Sequence, residues 1–257
     1  SFHIDKSGSH TPGVGYFWSG CASAAKHGLE VLDIAVIDAD EKDAVHLKAV
    51  QTVDTVKVGR PPKYIAGMKN PNSLTAWYLR ALAQEKDGLL KISNIVAADA
   101  FFSKESFVNG VTLLGFHLVS RFRSDVSLKY LYTGQKTGKK GRPKEVDGKV
   151  DLDSLRMDVF QEENYDDGEG KTITLHTAVV RATSLKRNVR VVIADCMEPS
   201  KKTQTRKVFF STDTEMSAKD IMDIYRTRFQ IEFLLRDSKQ YTGLTHCQSS
   251  QKEALAF

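Results

Sequence analysis

Four side chains near the end of the sequence could do chemistry together: Tyr225, Arg228, Glu232 and Lys239. At about 100° per residue of an α-helix they fall within an arc of about 60°, spread over roughly four turns. Such a stripe, one phenol, two cations and a carboxylate, could hold an anion beside an acidic group. Arg236 extends it. Ile224, Ile231 and Leu235 form one shoulder, and Phe229 and Phe233 the other. The pattern predicts that both shoulders pack on the domain and leave the charges in a sheltered groove. A plainer alternative makes Arg228 and Glu232 an i,i+4 ion pair, worth about a few tenths of a kcal/mol, with Lys239 exposed. The pattern alone leaves both readings open.

The stripe requires a helix. Ser217 followed by Asp220 resembles a capping box, and no Gly or Pro interrupts Ala218 to Lys239. One long helix is therefore expected, broken at Thr242-Gly243. Upstream, Leu29 to Ile37 reads as a buried strand and Ala44 to Val50 as its neighbour, joined by the acidic turn Asp38 to Asp43. Gly59 to Pro71 reads as a loop. Ser73 to Lys86 follows as a helix, capped by Ser73 and ended by Gly88. Leu89 to Ala98 is the next expected strand, with Asp99 at its C-terminal end, then a helix over Ser103 to Leu113 and a strand over Phe116 to Arg121. That order indicates a mixed α/β layer. Ser1 to Gly20 reads as a turn-rich loop. Its Gly13, Gly15 and Gly20 miss the dinucleotide-binding spacing.

Charge is segregated further on. Residues 136–144 are basic, 151–169 are acidic except for Arg156, and 171–210 are basic again in strand-like runs. The runs are Ile173 to Arg181, Val189 to Ala194 and Lys207 to Phe210, which suggests a β-rich insertion. The whole chain has 257 residues and a formal net charge of +5, which permits a polyanionic partner without requiring one. Its 27% charged and 41% hydrophobic residues exclude collagen-like and wholly disordered classes. Cys21, Cys196 and Cys247 are too scattered for a disulfide framework or a zinc site and fit a reducing compartment, and Cys21 and Cys247 read as packing residues. The seven histidines show no ligand spacing, and no Ser/His/Asp set stands out. No apolar run has the length of a membrane helix. The chain has no initiator Met and stops at Phe257 in helical sequence, so it reads as a fragment of a longer protein.

Tyr225, Arg228, Glu232 and Lys239 fit Y-(2)-R-(3)-E-(6)-K without a gap. That signature resembles one large group of bacterial insertion-sequence transposases of the Asp-Asp-Glu type. YRTRFQIEFLLRDSKQYTGL resembles the final catalytic helix of that family, and KSGSHTPGVGYFWSGCASAAKHGLE its opening region. VAADAFFSKESFV with GFHLVSRFRSDVSLKYLY resembles its second catalytic segment, and KKGRPKEVDGKVD a linker. The resemblance implies an α/β, ribonuclease H-like mixed sheet with flanking helices, interrupted by a β-rich insertion and related to retroviral integrases. The catalytic core would span residues 1–130 and 212–257, around an insertion at 131–211. Asp99 and Glu232 would be catalytic and would hold two divalent ions, Mg²⁺ with Mn²⁺ as a substitute. Tyr225, Arg228 and Lys239 would hold DNA-end phosphates. The implied activity is cleavage at transposon ends and strand transfer into target DNA, by a homodimer on paired ends in the bacterial cytoplasm at the nucleoid.

In the family the first catalytic Asp stands in Asp-x-Ser-Phe. Ser1-Phe2 match the last two residues, so that Asp is expected two residues before Ser1, and the chain as written is expected to be inactive. Asp5 cannot replace it. Six strand residues span about 20 Å, whereas paired ions lie about 3.5–4 Å apart. Asp38 and Asp40 read as turn residues. Gly-Arg-Pro at 141–143 resembles a minor-groove hook, against a plainer charged loop. The cationic insertion strands suit phosphate contact, or else balance the acidic stretch. Two other functions compete: a DNA-binding remnant without catalysis, and a nuclease of the same fold that cuts but does not join.

Overall fold

The structure, a computed structural model, describes residues 2–6, 11–20, 22–52, 73–135, 143–166, 172–198 and 203–242. The chain forms two compact units, one from Ser1–Gly88 with Thr227–Phe257 and the other from Leu89–Arg226. The expected loop Gly59 to Pro71, the hook residues 141 and 142, Cys21, Cys247 and Gly243 lie outside the described residues.

The first unit is built on a four-stranded antiparallel sheet: β1 (Phe2–Asp5), β2 (Gly15–Ser19), β3 (Ala24–Asp38) and β4 (Asp43–Thr52). β3 is the hub, pairing with each of the other three. It is longer than the sequence pattern indicates, and Gly28 to Asp33 are buried. Gly28 is required there, because a Cβ would collide with the backbone carbonyl of Ile4 on β1. Ile4, Val14, Leu29 and Val31 form the local core. The opening stretch is therefore not a simple loop. Its two strands are only four and five residues long, too short for a pattern to show amid the surrounding Gly and Ser, and both pair with β3. Between β3 and β4 the acidic turn appears as expected, with the Asp38 carboxylate accepting from the Asp40 and Glu41 amides.

A helix covers each face of this sheet. On one side α1 (Leu74–Leu89) is capped by Ser73, whose hydroxyl accepts from the Ala76 amide at 3.2 Å. Tyr78 donates to the buried Glu30, which also accepts from Thr52 at 3.0 Å, and Lys48 pairs with Glu85. The helix runs through Gly88 rather than stopping there. Leu89 belongs to it and residues 90–94 to turns, so the expected strand over Leu89 to Ala98 shrinks to β5 (Ile95–Ala97). The other face carries α4 (Gln230–Tyr241), which packs on β3 and β4.

The second unit holds an eight-stranded mixed sheet. Its order is β5, β6 (His117–Arg121), β12 (Thr203–Ser211), β11 (Arg187–Glu198), β10 (Thr172–Ala182), β7 (Leu128–Leu131) and β8 (Val146–Lys149), with β9 (Gln161–Asp166) also pairing with β10. β5 and β6 are parallel, and all other pairs are antiparallel. The strands of the basic region join the core strands directly, since β12 pairs with β6 from Phe209↔Arg121 to Ser211↔Val119. On one face, α3 (Ala218–Thr227) buries Ala218, Ile221 and Met222 against Val119, Leu175, Val192, Ala194 and Phe209. α2 (Glu105–Leu113) packs on β6 and buries Phe107, Val108 and Val111. Val191 to Ala194 are buried without alternation, as a strand covered on both sides requires. The architecture is mixed α/β with a large mixed sheet and few helices, consistent with the ribonuclease H-like fold that the resemblance implies.

The expected long terminal helix is two helices. Ser217 does cap the first, accepting from the Asp220 amide at 3.1 Å. Arg228 and Phe229 then fall between α3 and α4. Ile231 donates to the Arg228 carbonyl and Glu232 to that of Phe229, so the spacing tightens from i→i+4 to i→i+3. No Gly or Pro marks the place, and the phase of a single wheel does not carry across it.

Candidate functional site

Asp99 lies just beyond the carboxyl end of β5, the strand held by the parallel pair. Its position is fixed mainly by backbone. The Asp99 carboxylate accepts from the Phe101 amide at 2.8 Å and caps a single 3₁₀ turn over Ala100–Phe102. The Ser120 hydroxyl donates to the Asp99 carbonyl at 2.9 Å, tying the loop to β6. Asp99 itself is exposed. Beside it, the Lys104 ammonium sits 3.5 Å from the centroid of the Phe101 ring. Burial holds the Lys104 pKa below its ordinary value, and the Asp99 charge opposes that shift. Neither Lys104 nor Ser120 stands out by residue type or spacing in the sequence.

The four residues of the stripe are placed unequally. Tyr225, on α3, packs against the core of the second unit, its ring 4.8 Å from Phe209. The same helix is tied to β9 by Tyr165, which donates to Asp223 at 2.6 Å and accepts from Arg226 at 3.3 Å. Burial first, and then this bond to Asp223, push the Tyr165 phenol above its ordinary pKa. Asp99 and Tyr225 belong to the second unit, and Arg228, Glu232 and Lys239 to the first. Arg228 donates to Glu232 at 3.0 Å, so the plainer i,i+4 pair is present. Glu232 keeps 48% of its side chain exposed, against 20% for Arg228. The Lys239 ammonium lies 5.2 Å from the Phe2 ring on β1. The expected packing of both shoulders fails on one side. Phe229 and Phe233 remain exposed and meet each other edge to face at 5.1 Å. Only Ser238 of α4 is buried, so the helix rests on a narrow line rather than a broad apolar face.

That line contains a Ser/His/Asp set which the sequence spacing does not reveal. His46 Nδ1 bonds the Asp33 carboxylate at 2.9 Å, and Nε2 bonds the Ser238 hydroxyl at 2.7 Å. Asp33 is nearly fully buried. The atoms resemble a catalytic triad, but Ser238 is buried inside a helix and its hydroxyl also lies 2.8 Å from the Leu234 carbonyl. It has no room to attack a substrate.

Several charges in the second unit are paired locally. Arg206 bonds Asp195 at 2.6 Å and lies 3.6 Å from Asp153, while Lys186 pairs with Glu105 at 3.0 Å. Arg156 bridges Asp147 and Asp158 at 3.1 and 2.8 Å, and Lys144, the last base of the expected hook region, pairs with Asp147. Asp38 and Asp40 are turn residues, as expected.

The carboxylates of Asp99 and Glu232 are hard oxygen donors, the type that Mg²⁺ and Mn²⁺ prefer. Among the described residues no three His, Cys, Asp or Glu side chains gather into a metal-binding group. No helix among them is long and apolar enough to cross a membrane. Curated proteins give no match to the chain. The profile of the transposase DDE domain matches residues 79–257, more than two thirds of the sequence, and includes Asp99, Tyr225, Arg228, Glu232 and Lys239. The chain belongs to the transposase DDE-domain family.

Proposed function

We propose that this chain supplies the second Asp and the Glu of a transposase centre that cleaves transposon ends and joins them to target DNA. The observation that carries the reading is Asp99. It is an exposed carboxylate at the carboxyl end of a parallel strand, within the stretch that matches the family. Open α/β sheets place their reacting groups at such strand ends.

The reaction balances as phosphoryl transfer. A water oxygen attacks phosphorus, the P–O3′ bond breaks, and the leaving oxygen takes a proton to become a 3′-hydroxyl. That hydroxyl then attacks a target phosphate in the same way. Two divalent ions, when bound, would activate the attacking oxygen and neutralise the leaving one. Asp99 and Glu232 would hold them. Arg228 offers a planar fork to phosphate oxygens, Lys239 a point charge and Tyr225 a hydroxyl donor. A homodimer on paired ends completes the proposal. A DNA-binding remnant without catalysis remains a second reading, favoured by one observation: the Arg228 bond already occupies one oxygen of the Glu232 carboxylate.

The test is cleavage and joining of the element's end DNA with Mg²⁺ or Mn²⁺, by a chain that reads Asp-x ahead of Ser1-Phe2. Metal-dependent nicking and joined products, both lost in Glu232→Gln, are expected. Salt-sensitive DNA binding without cleavage would leave the remnant, and cleavage without joining would leave a nuclease.

A further inference from the structure

We infer that Asp33, His46 and Ser238 form a positioning relay that locks α4, and with it Glu232 and Lys239, onto β3 and β4. The inference deepens the transposase reading and rests on it for its functional part.

Three observations converge. The first is the chain of bonds from Asp33 through His46 to Ser238, at 2.9 and 2.7 Å. A carboxylate only accepts, so the His46 proton toward Asp33 sits on Nδ1, and Nε2 faces the serine. One end of the relay is the sheet and the other is the helix.

The second is a register shift in β4. Ile34 faces Lys48, but Ala35 faces His46, which makes Leu47 the extra residue of a bulge. Successive strand residues point to opposite faces. Without the bulge Leu47 would stand opposite Ala35, on the face of Asp33, and His46 would point toward α1. The bulge therefore turns His46 onto the α4 side, as bulges do where one side chain must be re-aimed. Lys48, before the shift, keeps its partner Glu85 on α1.

The third is the economy of the α4 contact. Ser238 is the helix's only buried residue, and its hydroxyl also meets the Leu234 carbonyl one turn back. Glu232 lies on that helix and Lys239 follows Ser238 directly. A helix with so little apolar burial depends on its polar anchors for its place. The Asp33 Oδ2 atom is buried and has no hydrogen-bond partner among the described residues, so His46 is the group that compensates the Asp33 carboxylate.

The relay predicts a separation of effects. Ser238→Ala and His46→Gln should each speed hydrogen exchange of the α4 amides about tenfold or more, while the β10 and β11 amides of the second unit stay protected. In the cleavage assay the same changes should raise the half-saturating Mn²⁺ concentration roughly tenfold, the size seen when a group supporting a metal ligand is lost. Cleavage at saturating Mn²⁺ should stay within about threefold. A merely structural role would lower the melting temperature and leave the Mn²⁺ dependence unmoved. Unchanged α4 exchange in the milder Ser238→Ala chain overturns the relay, and so does faster exchange with an unchanged Mn²⁺ requirement. If the chain that reads Asp-x ahead of Ser1-Phe2 does not cleave even without these substitutions, the transposase reading fails separately, and the exchange rates alone decide whether the relay anchors the helix.

Discussion

Asp99 and Glu232 hold their places by opposite means. Asp99 is fixed by main-chain neighbours: a parallel strand behind it, a capped turn ahead, and the Ser120 hydroxyl on its carbonyl. Glu232 is fixed at a distance, on a helix with one buried residue, by an ion pair along the helix and a relay beneath it. A carboxylate set in the sheet framework has little freedom to move. One carried on a lightly anchored helix can be adjusted through its anchors. In the proposed centre, that contrast would make α4 the adjustable element.

Several changes would break or sharpen that contrast. The largest effect should come from the carboxylates themselves. Asp99→Asn and Glu232→Gln should each reduce metal-dependent cleavage by at least about 10²–10³-fold, as loss of a charge-stabilising group does, with little change in melting temperature. Equal losses would show that both are needed however they are held. Next is the framework. Ile221→Ala, which opens a cavity where α3 meets the large sheet, should cost about 2–5 kcal/mol in urea unfolding. Asp99→Ala should cost about 0.5–1.5 kcal/mol more than Asp99→Asn, because the amide oxygen can still accept from Phe101. Equal stabilities would remove the turn cap from the account.

Smaller effects concern exposed ion pairs. Arg228→Met should cost only about a few tenths of a kcal/mol in stability, yet lower the salt slope of DNA binding by about one. An unchanged slope would take Arg228 out of the proposed phosphate-binding set. Arg156, which is not part of the stripe, offers the control. Lys144 and Arg156 hold Asp147 below the usual carboxylate value of 3.8, and Arg156 does the same for Asp158. A lowered carboxylate pKa contributes stability above the unfolded value, which is lost as pH falls through the folded one. Arg156→Met should therefore flatten the acid limb of the stability curve below about pH 3.8 and leave DNA binding unmoved.

The sequence carries much of this framework because strong local signals agree with it. The β-branched runs at Leu29 and Val189, the Ser73 and Ser217 caps and the strand end at Asp99 all appear where their chemistry points. What stays hidden depends on distant partners. β1 and β2 exist only through pairing with β3. Leu89 and Leu90 look like the start of a strand but close α1 and its following turn. The division of the last helix carries no breaker residue. His46 and Ser238 are 192 residues apart, and the bulge that aims His46 has no signature in the sequence.

The pairing of β12 with β6 has a consequence during synthesis. On the ribosome, β6 emerges with β5 on one side and nothing on the other until residues 209–211 arrive. At ~5–20 residues per second that delay is on the order of ten seconds. Throughout it, Val119 to Arg121 present an open strand edge, the kind of surface on which nascent chains pair with one another. Rapid closure of the β10–β11 hairpin cannot protect this edge, because β12 must first pair on the far side of β11. The segment between β6 and β12 therefore sets how long each newly made chain is exposed to aggregation, and shortening it should improve soluble yield before it changes any property of the finished protein.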